Sequence, residues 1–151
     1  MKVGGIAVEG PHEALLVLPR GDKQLVFKAV AILDFAPFWD LCPEPVAPKI
    51  TRKGATTDNV DDKGYIAAKA EHERRKMAWT VLTSLAPSNI EWETVDLKVP
   101  GTWCNYTKEL LDNKFTTIEI NLITELVLEA NNLDEKKLQW ARDVFLQGQH
   151  Q

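Results

Sequence analysis

Hydrophobic residues near the start of the chain fall into two runs, Leu15–Leu18 and Leu25–Phe27, the second continued by Ala29–Leu33. Between them lies the polar break Pro19, Arg20, Gly21, Asp22, Lys23, and apolar runs around such a break predict a β-hairpin. Met1–Val8 has weaker β character because Gly4 and Gly5 interrupt it, so it reads at most as an irregular or edge strand. Beyond residue 62 the period changes. Ile66, Ala70, Met77, Val81, Leu82 and Leu85 recur mostly every three or four positions, Lys69, Glu73 and Lys76 face away, and Pro87 stops the pattern. This predicts a helix from about Lys63 to Leu85, capped by Asp61 or Asp62. Its first half is polar on most faces and should project towards solvent or a partner, while "MAWTVLTSL" should enter the core. Ile90, Trp92, Val95 and Leu97 then alternate in part, as in a short strand or an extended connector that drops Trp92 into a groove.

The C-terminal pattern is more regular. "TWCNYTKELLDNK" predicts a short helix with Tyr106, Leu110 and Leu111 inward. Thr116 and Glu119 match a capping box, with Phe115 placed to staple against Ile120, for a helix from Thr117 to about Ala130. Ile118, Leu122, Ile123, Leu126, Val127 and Ala130 form its stripe, with Ile120 and Leu128 outside it, wide enough to make this the central helix. A last helix has Asp134 as cap, Leu133 and Leu138 as staple, and Leu138, Ala141, Val144 and Phe145 on one face until Gly148. The expected fold class is α+β: a β-rich N-terminal region (1–33), a proline and aromatic arm with a polar linker (34–62), and a helical domain (63–151) with a bundle of about four helices.

The arm is the segment without a period. "DFAPFWDLCPEPVAPK" holds Pro37, Pro43, Pro45 and Pro48 beside Phe35, Phe38, Trp39 and Leu41. Prolines favour an extended backbone with little conformational entropy left to lose on docking, and the aromatics supply contact area. The candidate partner-binding residues are therefore Phe35, Phe38, Trp39, Leu41, Pro43 and Pro45. The same residues could instead strap the protein's own helices, and aromatic content does not say whose surface is covered. Ile50–Asp62 is polar and reads as a linker or long loop; its aspartates do not fit a calcium loop, since Val60 and Lys69 fall where ligands are required.

Composition narrows the chemistry. With 151 residues and 44% hydrophobic content the chain can bury a core. The net charge of −4 comes from the C-terminal part, where residues 87–151 hold six basic against eleven acidic side chains. Arg74, Arg75 and Lys76 make the only run of three contiguous cations, so nucleic acid is not an expected partner. No apolar run long enough for a membrane span and no charged leader followed by an apolar stretch are present, so a cytoplasmic protein is expected. Cys42 and Cys104 lack metal-site spacing and read as thiols, His12, His72 and His150 are isolated, and nucleotide, hydrolase and zinc-protease motifs are missing. Glu91, Glu93 and Asp96 around Trp92 read as solvated rather than as a catalytic carboxylate pair. No catalytic residue, cofactor or metal site is expected.

The succession "FxxFWDLCPEPxxP", a polar linker, "HERRKMAWTVLTSLAPSNIEWETVDLxxPxTW", "ELLDNKF" and "IEINLITELVLEANNLDEKKLQWARDVFL" resembles the tail assembly chaperones of long-tailed bacteriophages over about Phe35 to Leu146. The resemblance implies a non-enzymatic protein of the host bacterial cytoplasm. Such a protein would bind the helical, aggregation-prone tape measure protein, then give way to tail tube protein, often with a longer form made by translational frameshifting. Self-association is a further expectation for a protein that must coat a long partner. A structural component of the tail or baseplate is the alternative.

Overall fold

Residues 1–10, 13–131 and 135–149 are described by a computed structural model. Helices and antiparallel strands both contribute, as an α+β fold requires. Strands β1 (Lys2–Val3) and β2 (Ile6–Ala7) make a minimal hairpin at the N-terminus. The expected hairpin follows as β3 (Ala14–Arg20) and β4 (Lys23–Ala29), in register from Ala14↔Ala29 to Arg20↔Lys23. Gly21, at φ +62°, takes the left-handed conformation that starts its two-residue turn.

The arm and linker depart from expectation. Pro37 does not keep the arm extended. It sits in the first turn of α1 (Ala36–Leu41), where its missing N–H costs nothing, and the Asp34 carboxylate accepts a 2.9 Å bond from the Ala36 amide. The polar stretch read as a linker is a second hairpin, β5 (Lys49–Arg52) with β6 (Ala55–Asp58). Lys53 and Gly54 both have positive φ, the requirement of a tight type I′ turn, and the Thr51 and Thr56 hydroxyls meet across the ladder at 3.2 Å.

Helix α2 (Lys63–Ser84) starts where the Asp62 carboxylate accepts from the Tyr65 amide at 2.9 Å. Its second half buries Ala78, Trp79, Val81 and Leu82, whereas Ile66 and Ala70 in its first half are exposed, so the stripe ends where contact with other elements ends. A one-turn 3-10 helix at Ala86–Ser88 carries Pro87. Residues 91–99 form a connector without a strand, with Trp92 half-buried, and a second one-turn 3-10 helix spans Pro100–Thr102. Helix α3 (Asn105–Asp112) turns Leu110 inward but leaves Leu111 exposed.

Helix α4 (Thr117–Asn131) opens with the predicted capping box: Thr116 N–H donates to Glu119 Oε1 at 3.0 Å, and Glu119 N–H to Thr116 Oγ1 at 3.1 Å. Its buried face is Ile120, Ile123, Leu126 and Val127. Ile118, Leu122 and Leu128 are exposed, so the inward phase is rotated from the expected one and includes Ile120. The reason is tertiary: eight apolar positions allow more than one inward face, and packing on the hairpin selects one. Helix α5 (Glu135–Gln149) runs past Gly148. Leu133 and Asp134, expected to staple and cap it, lie outside the described residues. The expected bundle of about four helices is corrected here, because every described side chain of α5 is exposed.

The hairpin and helices share their cores across the boundaries at 33/34 and 62/63. One cluster joins Ala14, Leu18, Phe27 and Ala29 of the hairpin to Val81 and Leu85, Leu110, and the inward face of α4. The other joins Phe38 and Cys42 to Ala78, Trp79, Leu82 and Trp103. Large apolar side chains buried in this way contribute about 1.5–3 kcal/mol each.

An ion pair ties the hairpin to α4. Arg20 donates from Nη1 to Glu119 Oε2 at 2.6 Å and from Nη2 to Oε1 at 2.8 Å. The Arg20 bond first, then the Thr116 amide, lowers the Glu119 carboxyl from 4.5 to about 2. A carboxyl lowered in the folded state stabilises fully above its unfolded value, and that contribution is lost as pH falls through the folded value. The window is thus about 4.5 down to about 2. Glu119→Gln should lower Tm at neutral pH and flatten the acid dependence inside this window; Tm curves of variant and parent that stay parallel down to about 2 would contradict the pairing.

Candidate partner-binding surfaces

The arm is divided by its own helix. One turn of α1 carries Phe38 inward, fully buried against Trp79 at 5.6 Å and Trp103 at 6.0 Å between ring centroids. Phe35 lies half-buried, 5.5 Å from the Trp79 ring and 5.8 Å beneath Lys76 Nζ. Phe38 is therefore a core residue, and Phe35 is largely a strap over α2. Trp39, Leu41 and Pro43 remain on the surface, and Pro45 is half-buried. Trp39 stacks on the His72 ring at 5.4 Å and 30°, with Lys76 Nζ 5.3 Å from its centroid. His72, isolated in sequence, is buried here, and its Nε2–H donates to the Cys42 carbonyl at 3.0 Å. The ring thus ties α1 to α2 and holds Trp39 facing outward.

Two further apolar surfaces escaped the sequence reading. Alternation along β3 and β4 sends Leu16, Leu18, Leu25 and Phe27 inward and Leu15, Val17 and Val26 outward, where all three are exposed. The signal was the unbroken run "LLVL": a strand covered on one face alternates, whereas a strand covered on both is continuously apolar. The stripe of α5 is the other surface, with Leu138, Val144 and Phe145 exposed and Trp140 beside them 68% exposed. Its periodicity was legible; its lack of cover was not.

Glu109 is buried and accepts from Glu93 N–H at 3.0 Å and from the Thr94 N–H and hydroxyl, both at 2.6 Å. Burial pushes its carboxyl up, but the Thr94 and Glu93 hydrogen bonds outweigh that and leave it below the ordinary carboxylate value. It lines a hollow of about 210 Å³ with Trp92, Glu91 and Glu93, yet its oxygens are already used by the connector. Glu91, Glu93 and Asp96 are exposed. Burial pushes the Cys104 thiol up, opposite to the shift that activates a nucleophile. Among the described residues no group of three or more His, Cys, Asp and Glu is gathered to hold a metal, and no helix is long and apolar enough to cross a membrane. His12 and His150 lie outside the described residues.

No protein-family model, curated protein or solved structure matches the chain.

Proposed function

We propose that the chain is a non-enzymatic binding protein that acts as a tail assembly chaperone of a long-tailed phage, holding the tape measure protein until tail tube protein replaces it. The observation that carries the reading is uncovered apolar surface. Trp39 and Leu41 are 38% and 42% exposed on the arm, Leu15 is 61% exposed on the hairpin, and Trp140 is 68% exposed on α5. Trp39, Leu41 and Pro43 are the arm residues left to meet the tape measure protein, bordered by Lys76 and the polar first half of α2. Contacts of this kind can be exchanged, because their aromatic pairing is completed inside the chain by His72 and Phe38 and survives release of a partner.

Co-expression with the tape measure protein of the same tail gene cluster should yield a complex. Trp39→Ala with Leu41→Ala should weaken it about tenfold or more. A pair that never co-purifies overturns the reading. Mass spectrometry of finished particles should find the chain absent; its presence in stoichiometric amount would identify a structural tail or baseplate component.

A further inference from the structure

Among the described residues, nothing covers the outer face of the β3–β4 hairpin or the apolar stripe of α5. The outer face offers Leu15, Val17 and Val26, and the run "LLVL" is that of a strand covered on both sides. Helix α4 covers the inner face. A solitary 15-residue helix is marginal in water, so α5 also calls for a surface to lie on. The two match in length: 15 helical residues span roughly 22 Å, and seven-residue strands span roughly 24 Å.

The chain's own α5 is too tightly tethered to reach that face. Helix α4 ends at Asn131, whose Oδ1 accepts from Ile32 N–H at 2.8 Å and whose Nδ2 donates to Ser84 Oγ at 2.7 Å, so its end is pinned to the inner side. Layers packed through side chains lie about 10 Å apart, which puts covers on opposite faces of one sheet about 20 Å apart. The four Cα steps from residue 131 to residue 135 span at most roughly 14 Å.

We infer that the occupant is α5 of a second copy of this chain, laid across the outer hairpin face so that Leu138, Ala141 and Phe145 meet Leu15, Val17 and Val26. In a reciprocal exchange each copy gives up both surfaces, Leu15, Val17 and Val26 of the face and Leu138, Val144 and Phe145 of the helix, towards the about 800 Å² per partner of a stable interface. The surfaces that meet are made of leucine, valine, alanine and phenylalanine; Lys28 stands on the outer face opposite Leu15, and the described charges of α5 are Lys136, Arg142 and Asp143. Edge-to-edge pairing is the weaker alternative, because it would leave Leu15, Val17 and Val26 uncovered. The β4 edge is moreover occupied by Ser88, which accepts from Lys28 N–H and donates to its carbonyl, both at 2.8 Å.

The test is complementation between two full-length variants, read by light scattering after size exclusion at micromolar concentration. Leu138→Glu with Phe145→Glu disables the helix. Val17→Glu with Val26→Lys disables the face, while opposite charges across the strand pair keep the hairpin. The parent should show at least twice the monomer mass, each variant alone the monomer mass, and their mixture a one-to-one complex, since it retains one intact helix and one intact face. A monomeric parent, a face variant that still self-associates through α5, a helix variant that still self-associates through strand edges, or a mixture of monomers each overturns the inference. Should a variant fail to fold, as circular dichroism would reveal, a disulfide test replaces it. In a Cys104→Ser background, Val26→Cys in one population should cross-link to Ala141→Cys in another, and to Lys53→Cys far less; equal yields overturn the inference. These outcomes do not depend on tape measure binding.

Discussion

Phe38→Ala is expected to lower stability by about 3–5 kcal/mol, as for other buried aromatics truncated to alanine. The ring has no exposed surface and four aromatic neighbours, Trp39, His72, Trp79 and Trp103. Truncation therefore leaves a cavity where α1 meets α2. In a chain of this length that loss shifts Tm by roughly 6–20 °C. Trp39→Ala, one residue along but on the surface, should cost about 1 kcal/mol. Urea unfolding of the two variants measures the contrast. Equal losses, or a Phe38→Ala midpoint close to the parent's, would mean that Phe38 does not join α1 to the core.

Glu109→Ala is expected to cost about 3 kcal/mol, because a buried acceptor of several hydrogen bonds disappears and each donor left unpaired costs about 1–3 kcal/mol unless water reaches it. The donors are the Glu93 and Thr94 amides and the Thr94 hydroxyl. Glu109→Gln, which keeps the shape and one acceptor oxygen, should lose roughly half as much. Hydrogen exchange at the Glu93 and Thr94 amides gives the local readout: protection should fall in both variants, more in the alanine. Unchanged protection would show that the connector is held by something else.

The difference between these positions was only partly legible. Signals carried by neighbours in the chain came through: the turn at Gly21 and Asp22, the Asp62 cap, the reciprocal Thr116–Glu119 box and the half-polar, half-apolar α2. The β5–β6 hairpin was missed because its turn is Lys53–Gly54 rather than the stronger Asn-Gly or Asp-Gly signature, and its strands are polar. Of the six candidate arm residues, Phe38 went to the core, Phe35 and Pro45 are half-buried, and Trp39, Leu41 and Pro43 stayed outside. The pattern of Pro and aromatic residues is the same for a strap and for a docking arm. The roles of His72 and Glu109 could not be read at all, since their partners Cys42 and Thr94 are 30 and 15 residues away.

By itself the sequence determined the β3–β4 hairpin and the bounds of α2 and α4, because caps, turns and periodicity act between residues within a few positions of one another. Which face each element turns inward was decided only in three dimensions. Helix α4 had apolar side chains to spare and took the phase that fits the hairpin, leaving Ile118 outside and Ile120 inside. Helix α5 had a proper stripe, yet all its described side chains are exposed, because periodicity states that a face is apolar and only packing states what covers it.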